Sequence, residues 1–192
     1  MAGNKGAQTS ARLVESMLEL VQRRGYSGTG LTTVTEHAGA PKGSLYFHFP
    51  EGKEALGEKA VELAAERFAS LLTDAVLETA PPGEVLRNVI DVLARMLADS
   101  DFQLGCPVSV VALEMGAHND RLRTACANAF DSWITPVAAY LAAHGRPDAE
   151  ARSLATALVS MIEGALIVSR AQRSVEPLRN AADALARLVD AS

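Results

Sequence analysis

The chain has 192 residues, enough for one large core or two small ones. Apolar residues make up 48% and aromatics only 5%, with Ala and Leu dominant, which points to an all-α fold and away from a sheet. A net charge of −5 excludes a protein that is basic overall, so any contact with nucleic acid has to come from a local patch.

Met1 to Gln8 is small and polar, has no apolar signal region, and is expected to be an arm or disordered. Thr9 or Ser10 caps a first helix whose Leu13, Met17, Leu20 and Val21 form one stripe, and Gly25 ends it. A second, short helix starts at Thr33, where Thr33 and Glu36 have the spacing of a capping box. Val34 and Ala38 give it one apolar face, and Gly39 suits the left-handed residue that stops it. Pro41 fits the first residue of a third helix, which turns Leu45 and Phe49 inward. That helix exposes Lys42, Gly43, Ser44, Tyr46, Phe47 and His48. Two short helices about a tight turn outline a helix-turn-helix, a geometry also used purely for packing. Small, aromatic and cationic side chains on the exposed helix suit a DNA groove.

Pro50-Glu51-Gly52 breaks the chain before a long helix from Lys53 to about Glu78. A cation at a helix start opposes the dipole, so Lys53 is expected to hold a phosphate there. Residues 1–53 carry Lys5, Arg12, Arg23, Arg24, Lys42 and Lys53 against Glu15, Glu19, Glu36 and Glu51, a balance of +2 that leaves −7 for the remainder. The division is that of a modestly basic head, 1–52, on an acidic body, 53–192.

Pro81-Pro82-Gly83 is the clearest linker. Helices follow over Val85 to Leu97, Pro107 to about Ala117, Asn119 or Asp120 to about Ala143, the break at Pro147 to about Gln172, and Pro177 to Ala191. Nine helices result, three of them in the head. No apolar run reaches the length of a membrane span, so the protein is expected in the cytoplasm without a membrane partner. Cys106 and Cys126 are then free thiols, either a redox pair or two small buried hydrophobes.

No cofactor, metal or catalytic constellation stands out. There is no phosphate loop, nucleophile elbow or zinc spacing. Glu114 and His118 could share a metal at i, i+4, but such pairs are usually surface pairs. Met96, Phe102, Leu104, Val110, Leu113, Phe130, Trp133 and Met161, with Glu114, are the candidates to line an adaptable apolar cavity, although most bulky residues are ordinary core. Glu163, inside an apolar helix, could contact a ligand, meet a partner helix or face water. Gly164-Ala165 allows close approach of another helix, and Leu178 and Leu185 continue the apolar pattern, so a homodimer interface is expected there.

The stretch from Thr33 to Phe49, followed by GlyLysGluAlaLeu, resembles the DNA-binding segment of the TetR (tetracycline-repressor-like) regulators over roughly Ala11 to Leu63. Pro41 departs from the Ser or Thr cap frequent there, and the loop before Lys53 is one residue longer. GlyCysProValSerValValAlaLeuGlu at 105–114, with PheProGluGlyLys, is similar to the subgroup of drug- and flavonoid-responsive repressors related to lincomycin-resistance regulators. The resemblance implies a dimeric repressor of a near-palindromic double-stranded operator, released by a small apolar or aromatic effector. Lys42, Ser44 and Phe47 would face bases, and Thr33, Tyr46, His48 and Lys53 phosphates. The rivals are an enzyme using Cys106 or Glu114 in the body cavity, and a helical protein adaptor.

Overall fold

The computed structural model describes residues 2–76 and 80–190. Among these residues there are nine helices and no strand: α1 Ala2–Arg24, α2 Leu31–His37, α3 Lys42–His48, α4 Lys53–Val76, α5 Pro82–Asp99, α6 Pro107–Met115, α7 Asp120–Ala143, α8 Asp148–Gln172 and α9 Glu176–Asp190. They pack as two compact units. One contains the chain up to Glu66 plus Pro107–Ala129; the other contains Arg67–Cys106 plus Phe130 onward. The compact units therefore do not divide at 52/53, because α6 and the start of α7 pack with the N-terminal helices. The expected ends of α4 at Glu78 and of α9 at Ala191 lie outside the described residues.

In the first unit, Leu13, Met17, Leu20 and Val21 of α1 are buried, along with Val34, Ala38, Leu45 and Phe49. Burying one such aliphatic side chain contributes about 1.5–3 kcal/mol, so this small core rests on few residues. The expected N-terminal arm is instead the first two turns of α1. Thr9 and Ser10, expected as caps, therefore lie inside it. The Thr33–Glu36 capping box does not form. Gly30 takes the extended cap conformation, α2 starts two residues early at Leu31, and the Val34 N–H reaches the Gly30 carbonyl at 3.0 Å. Gly39 does stop α2, at φ +58°, where the Gly39 and Ala40 N–H groups close on the Glu36 and Thr35 carbonyls. Pro41 caps α3 in an extended conformation, so Lys42 is the first helical residue.

In the second unit α9 packs on α5 and on α8. Ile90, Ala94 and Leu97 of α5, Ala155, Leu158 and Ile162 of α8, and Leu178, Ala182, Leu185 and Val189 of α9 form one core. The helix ends are tied down by long-range polar contacts. The Asp190 carboxylate accepts the Gly83 N–H at 2.9 Å, satisfying a first-turn donor of α5. The Arg146 guanidinium donates to the Leu188 carbonyl at 2.5 Å, near the end of α9. After α5, Asp101 and Phe102 both take left-handed backbone, at φ +54° and +60°. Arg173, itself left-handed, donates to Asp101 at 2.5 Å and holds that turn.

By length and composition alone α8 is apolar enough to cross a bilayer. Part of that surface is core: Ala151, Ala155, Leu158 and Ile162 face inward.

Candidate nucleic-acid interface and effector cavity

The first unit displays α3. Tyr46 is 60% and Phe47 80% exposed, with Lys42 and Gly43 exposed beside them, whereas Leu45 is 1% exposed. Two large aromatic rings thus stand in water next to a cation, on a helix anchored from behind by Leu45. Ser44 and His48 are half-buried on the same helix, and the His48 ring meets Phe47 edge-on at 5.0 Å. Thr33 is half-buried on α2. These residues share one unit, as the sequence pattern required.

Lys53, expected at a phosphate, lies in the same unit and makes contacts within the chain. Its ammonium donates to the Tyr26 carbonyl at 2.7 Å and lies 4.3 Å from the centre of the Tyr26 ring. Burial lowers its pKa, and nearby Glu114 partly opposes that. The cation at the start of α4 thus ties that helix to the turn after α1. Glu114 is engaged at the same place: its carboxylate accepts the Ser27 N–H at 2.6 Å, and a Cβ on Gly25 would fall 2.2 Å from its oxygen. A bare Gly25, already at φ +79°, is what lets the carboxylate in. Arg121, near the start of α7, donates to Glu58 at 2.7 Å and also to Glu51. These contacts, from α6 and α7 to the turns flanking the short helices, explain why the first unit is discontinuous in sequence.

The second unit holds a cavity of about 740 Å³, its open mouth included, between α4, α5, α7, α8 and α9. Val85, Val89, Val137, Leu141, Leu158, Val159 and Ile162 line it with Phe68, Trp133, Tyr140 and Glu163. Phe68 meets Trp133 edge-on at 4.7 Å, and Phe130 supports the same indole at 5.5 Å without reaching the cavity. Of the expected cavity residues only Trp133 lines it. Met96, Leu113 and Met161 are 56%, 77% and 43% exposed. Val110 and Glu114 belong to the first unit. Phe102 packs on the α5–α8–α9 core, and Leu104 is half-buried outside the cavity. Bulk in the sequence does not distinguish a side chain facing a cavity from one on the opposite side of its helix. Tyr140 was missed although it shares a stripe with Val137 and Leu141, where a polar-ended ring is a usable signal. Neither Cys106 nor Glu114 lines the cavity.

The expected dimer residues also separate. Leu178 and Leu185 are 0% and 1% exposed and Ala165 is core, because all three pack into the core that α5, α8 and α9 form within the chain. Glu163 turns to the cavity. Gly164 alone is exposed, with no atom within 4 Å of where its Cβ would stand. Around it α8 shows Ala157, Ser160, Met161, Ile167, Val168 and Ala171, all exposed. Their spacing makes one outward stripe of small and apolar residues without a charge.

An all-helical protein with an exposed helix-turn-helix in one unit has the architecture of a DNA-binding transcriptional regulator. Residues 13–60 match the bacterial regulatory proteins of the tetR family, and residues 82–184 match the C-terminal domain of LmrA/YxaF-like transcriptional regulators. The HTH-type transcriptional regulator Rv0196 of Mycobacterium tuberculosis is 36% identical over 172 residues, 87% of each chain. The HTH-type transcriptional repressor DhaR of a Mycobacterium species is 32% identical, covering 90% of this chain and 88% of its own. A crystal structure of the regulatory protein TetR from Rhodobacter sphaeroides superposes with a TM-score of 0.83 at 28% identity, over 92% of this chain and 96% of that one. The chain belongs to the TetR family of transcriptional regulators.

Proposed function

We propose that this regulator is a cytoplasmic repressor that binds a near-palindromic operator as a homodimer and is released by a small apolar effector. The observation that carries the DNA reading is α3, with Phe47 80% exposed beside Tyr46 and Lys42 on a helix pinned by Leu45. Lys42, Ser44 and Phe47 take base edges, and Thr33, Tyr46 and His48 take phosphates. Residues 1–52 serve as the reading head and 53–192 as the effector and dimer body. Two heads reading successive major grooves require centres about 34–36 Å apart or a multiple of it.

The uncharged α8 stripe about Gly164 supports the dimer. An apolar face of this length on a soluble helix is covered by something, and a second copy of the same stripe is self-complementary. The cavity supports the effector. Helices α4 and α7 each run from one unit into the other, so a ligand that shifts either helix alters the head. A coupling of about 1–3 kcal/mol changes operator affinity about 5- to 150-fold, and operator then weakens the ligand by the same factor.

The test is selection of bound fragments from a genomic DNA pool, followed by footprinting. A protected near-palindrome with a salt-dependent affinity is the expected result. Binding without sequence preference, or no binding at all, overturns the reading.

A further inference from the structure

The first turns of α1 lie beside α3 and carry charge of one sign. Residues 1–14 hold Lys5 and Arg12 and no aspartate or glutamate; the first acid is Glu15. Because the chain is helical from Ala2, this stretch is a rod and not a loose tail, about 15 Å long from Ala2 to Arg12. The rod meets α3: a methyl group added to Gly6 would touch the His48 ring at 3.6 Å. Lys5, Gln8, Arg12, Glu15 and Glu19 follow one another at three- and four-residue steps, on one stripe of the helix. The stripe is polarised. Its start carries two cations and an amide, with Gln8 and Arg12 exposed, whereas its acids come further on, where Glu19 stands 3.6 Å from Nε2 of His37. Arg87, Arg95, Arg121 and Arg152 are held by carboxylates of the chain, but Arg12 has no such partner among the described residues. The whole stretch precedes residue 13, where the match to the tetR family begins.

We propose that the start of α1 extends the DNA surface of α3, and that Lys5 and Arg12 bind backbone phosphates flanking the groove in which α3 sits. A cationic stripe free of acids fits a polyanion, and its continuity with α3 commits it to the same duplex. Phosphates repeat along any duplex, so these contacts add affinity and hold register without adding sequence preference. The residues of α3 read the operator, and the start of α1 grips the strand beside it.

This proposal rests on α3 being the reading helix, and the test tells the two apart. Affinity for the selected operator would be measured across a salt series for the full chain, Lys5→Gln/Arg12→Gln, Arg95→Gln and Lys42→Glu. Glutamine matches lysine and arginine in helix propensity, so the double variant keeps α1, which circular dichroism checks. It should lower the slope of log affinity against log salt by about 0.9 for each phosphate released, or about two per head, with the preferred sequence unchanged. Hydroxyl-radical footprints should lose only the outermost protected sugars of each half-site. Arg95→Gln removes an exposed cation of the second unit and should leave the slope as it is. A double variant with the parent's slope and footprint overturns the proposal; so does a changed sequence preference, or an equal fall in slope with Arg95→Gln. If Lys42→Glu binds like the parent while the double variant shows the lower slope, the reading assigned to α3 falls and the phosphate contacts of α1 stand. A parent chain that binds no duplex overturns both.

Discussion

The exposed faces of α3 and α8 both carry large apolar side chains, and they differ in chemistry. Helix α3 offers Tyr46 and Phe47 with Lys42 and the partly buried His48, while α8 offers Met161, Ile167, Val168 and small residues without a charge. A face that mixes rings with cations suits a polyanion, whose phosphates need charge and whose base edges and methyl groups accept flat apolar contact. A face without charge suits a surface equally free of it, because an unmatched charge buried there would be costly. The comparison teaches that exposure of apolar surface does not by itself name a partner; what stands between the apolar groups does.

The sharpest way to break this comparison is to reverse the charge on α3. Lys42→Glu should abolish specific operator binding. The loss should be at least about 30-fold, since each of two heads loses a contact worth about 1–3 kcal/mol and gains a repulsion. Helical content should be unchanged, because Lys42 is exposed and pairs with no core residue. Retained operator affinity by gel shift would remove α3 from the interface.

Next in size is Gly164→Leu on α8. Apart from the backbone of its own helix, nothing lies within 4 Å of the new Cβ, so the substitution leaves the packing of the chain itself unchanged. Overpacking a tight contact costs about 1–3 kcal/mol, or about 5- to 150-fold in the dimerisation constant. Sedimentation should show more monomer with an unchanged circular dichroism spectrum. An unaltered dimer would mean that the partner sits elsewhere.

A smaller effect separates structural from DNA-binding cations. Lys53→Met removes the bond to the Tyr26 carbonyl, which should cost the first unit about 0.5–1.5 kcal/mol of stability. The slope of operator affinity against salt should stay the same. A drop in that slope by about one unit would return Lys53 to the phosphate contacts.

The smallest effect concerns the thiols. Cys126 is 2% exposed, and burial pushes its pKa up to about 11. Its sulfur donates to the Val108 carbonyl at 3.5 Å. Since the thiolate is the reactive form and burial disfavours it, Cys126 should stay silent to a thiol reagent near pH 8 in the folded protein, while half-buried Cys106 reacts. Two equally fast thiols would show that the region around Cys126 opens readily.

The sequence by itself determined most elements whose signal is local, the starts of α1 and α2 excepted. Periodicity placed the helices, Gly39 and Gly145 marked stops by their left-handed backbone, and Asn119 capped α7 by accepting the Leu122 N–H at 2.9 Å. The exposed face of α3 was legible for the same reason: Leu45 and Phe49 fix which side is inward, which leaves Lys42, Tyr46 and Phe47 outward. What only the tertiary structure decided was where each stripe of a helix with two apolar sides would go. On α8 the inner stripe became core, the outer stripe stayed exposed around Gly164, and Glu163 between them reached the cavity. Leu178 and Leu185 show the same limit, for their spacing reveals a buried face and says nothing about whether the same chain or another covers it. Lys53 shows it for charge. A cation at a helix start predicts a missing anion when read locally, yet the fold supplies the Tyr26 carbonyl and ring from 27 residues away. Hydrophobic burial is non-directional and carries no partner's name, so the pattern that specifies a helix leaves its neighbours to be settled by how the whole chain packs.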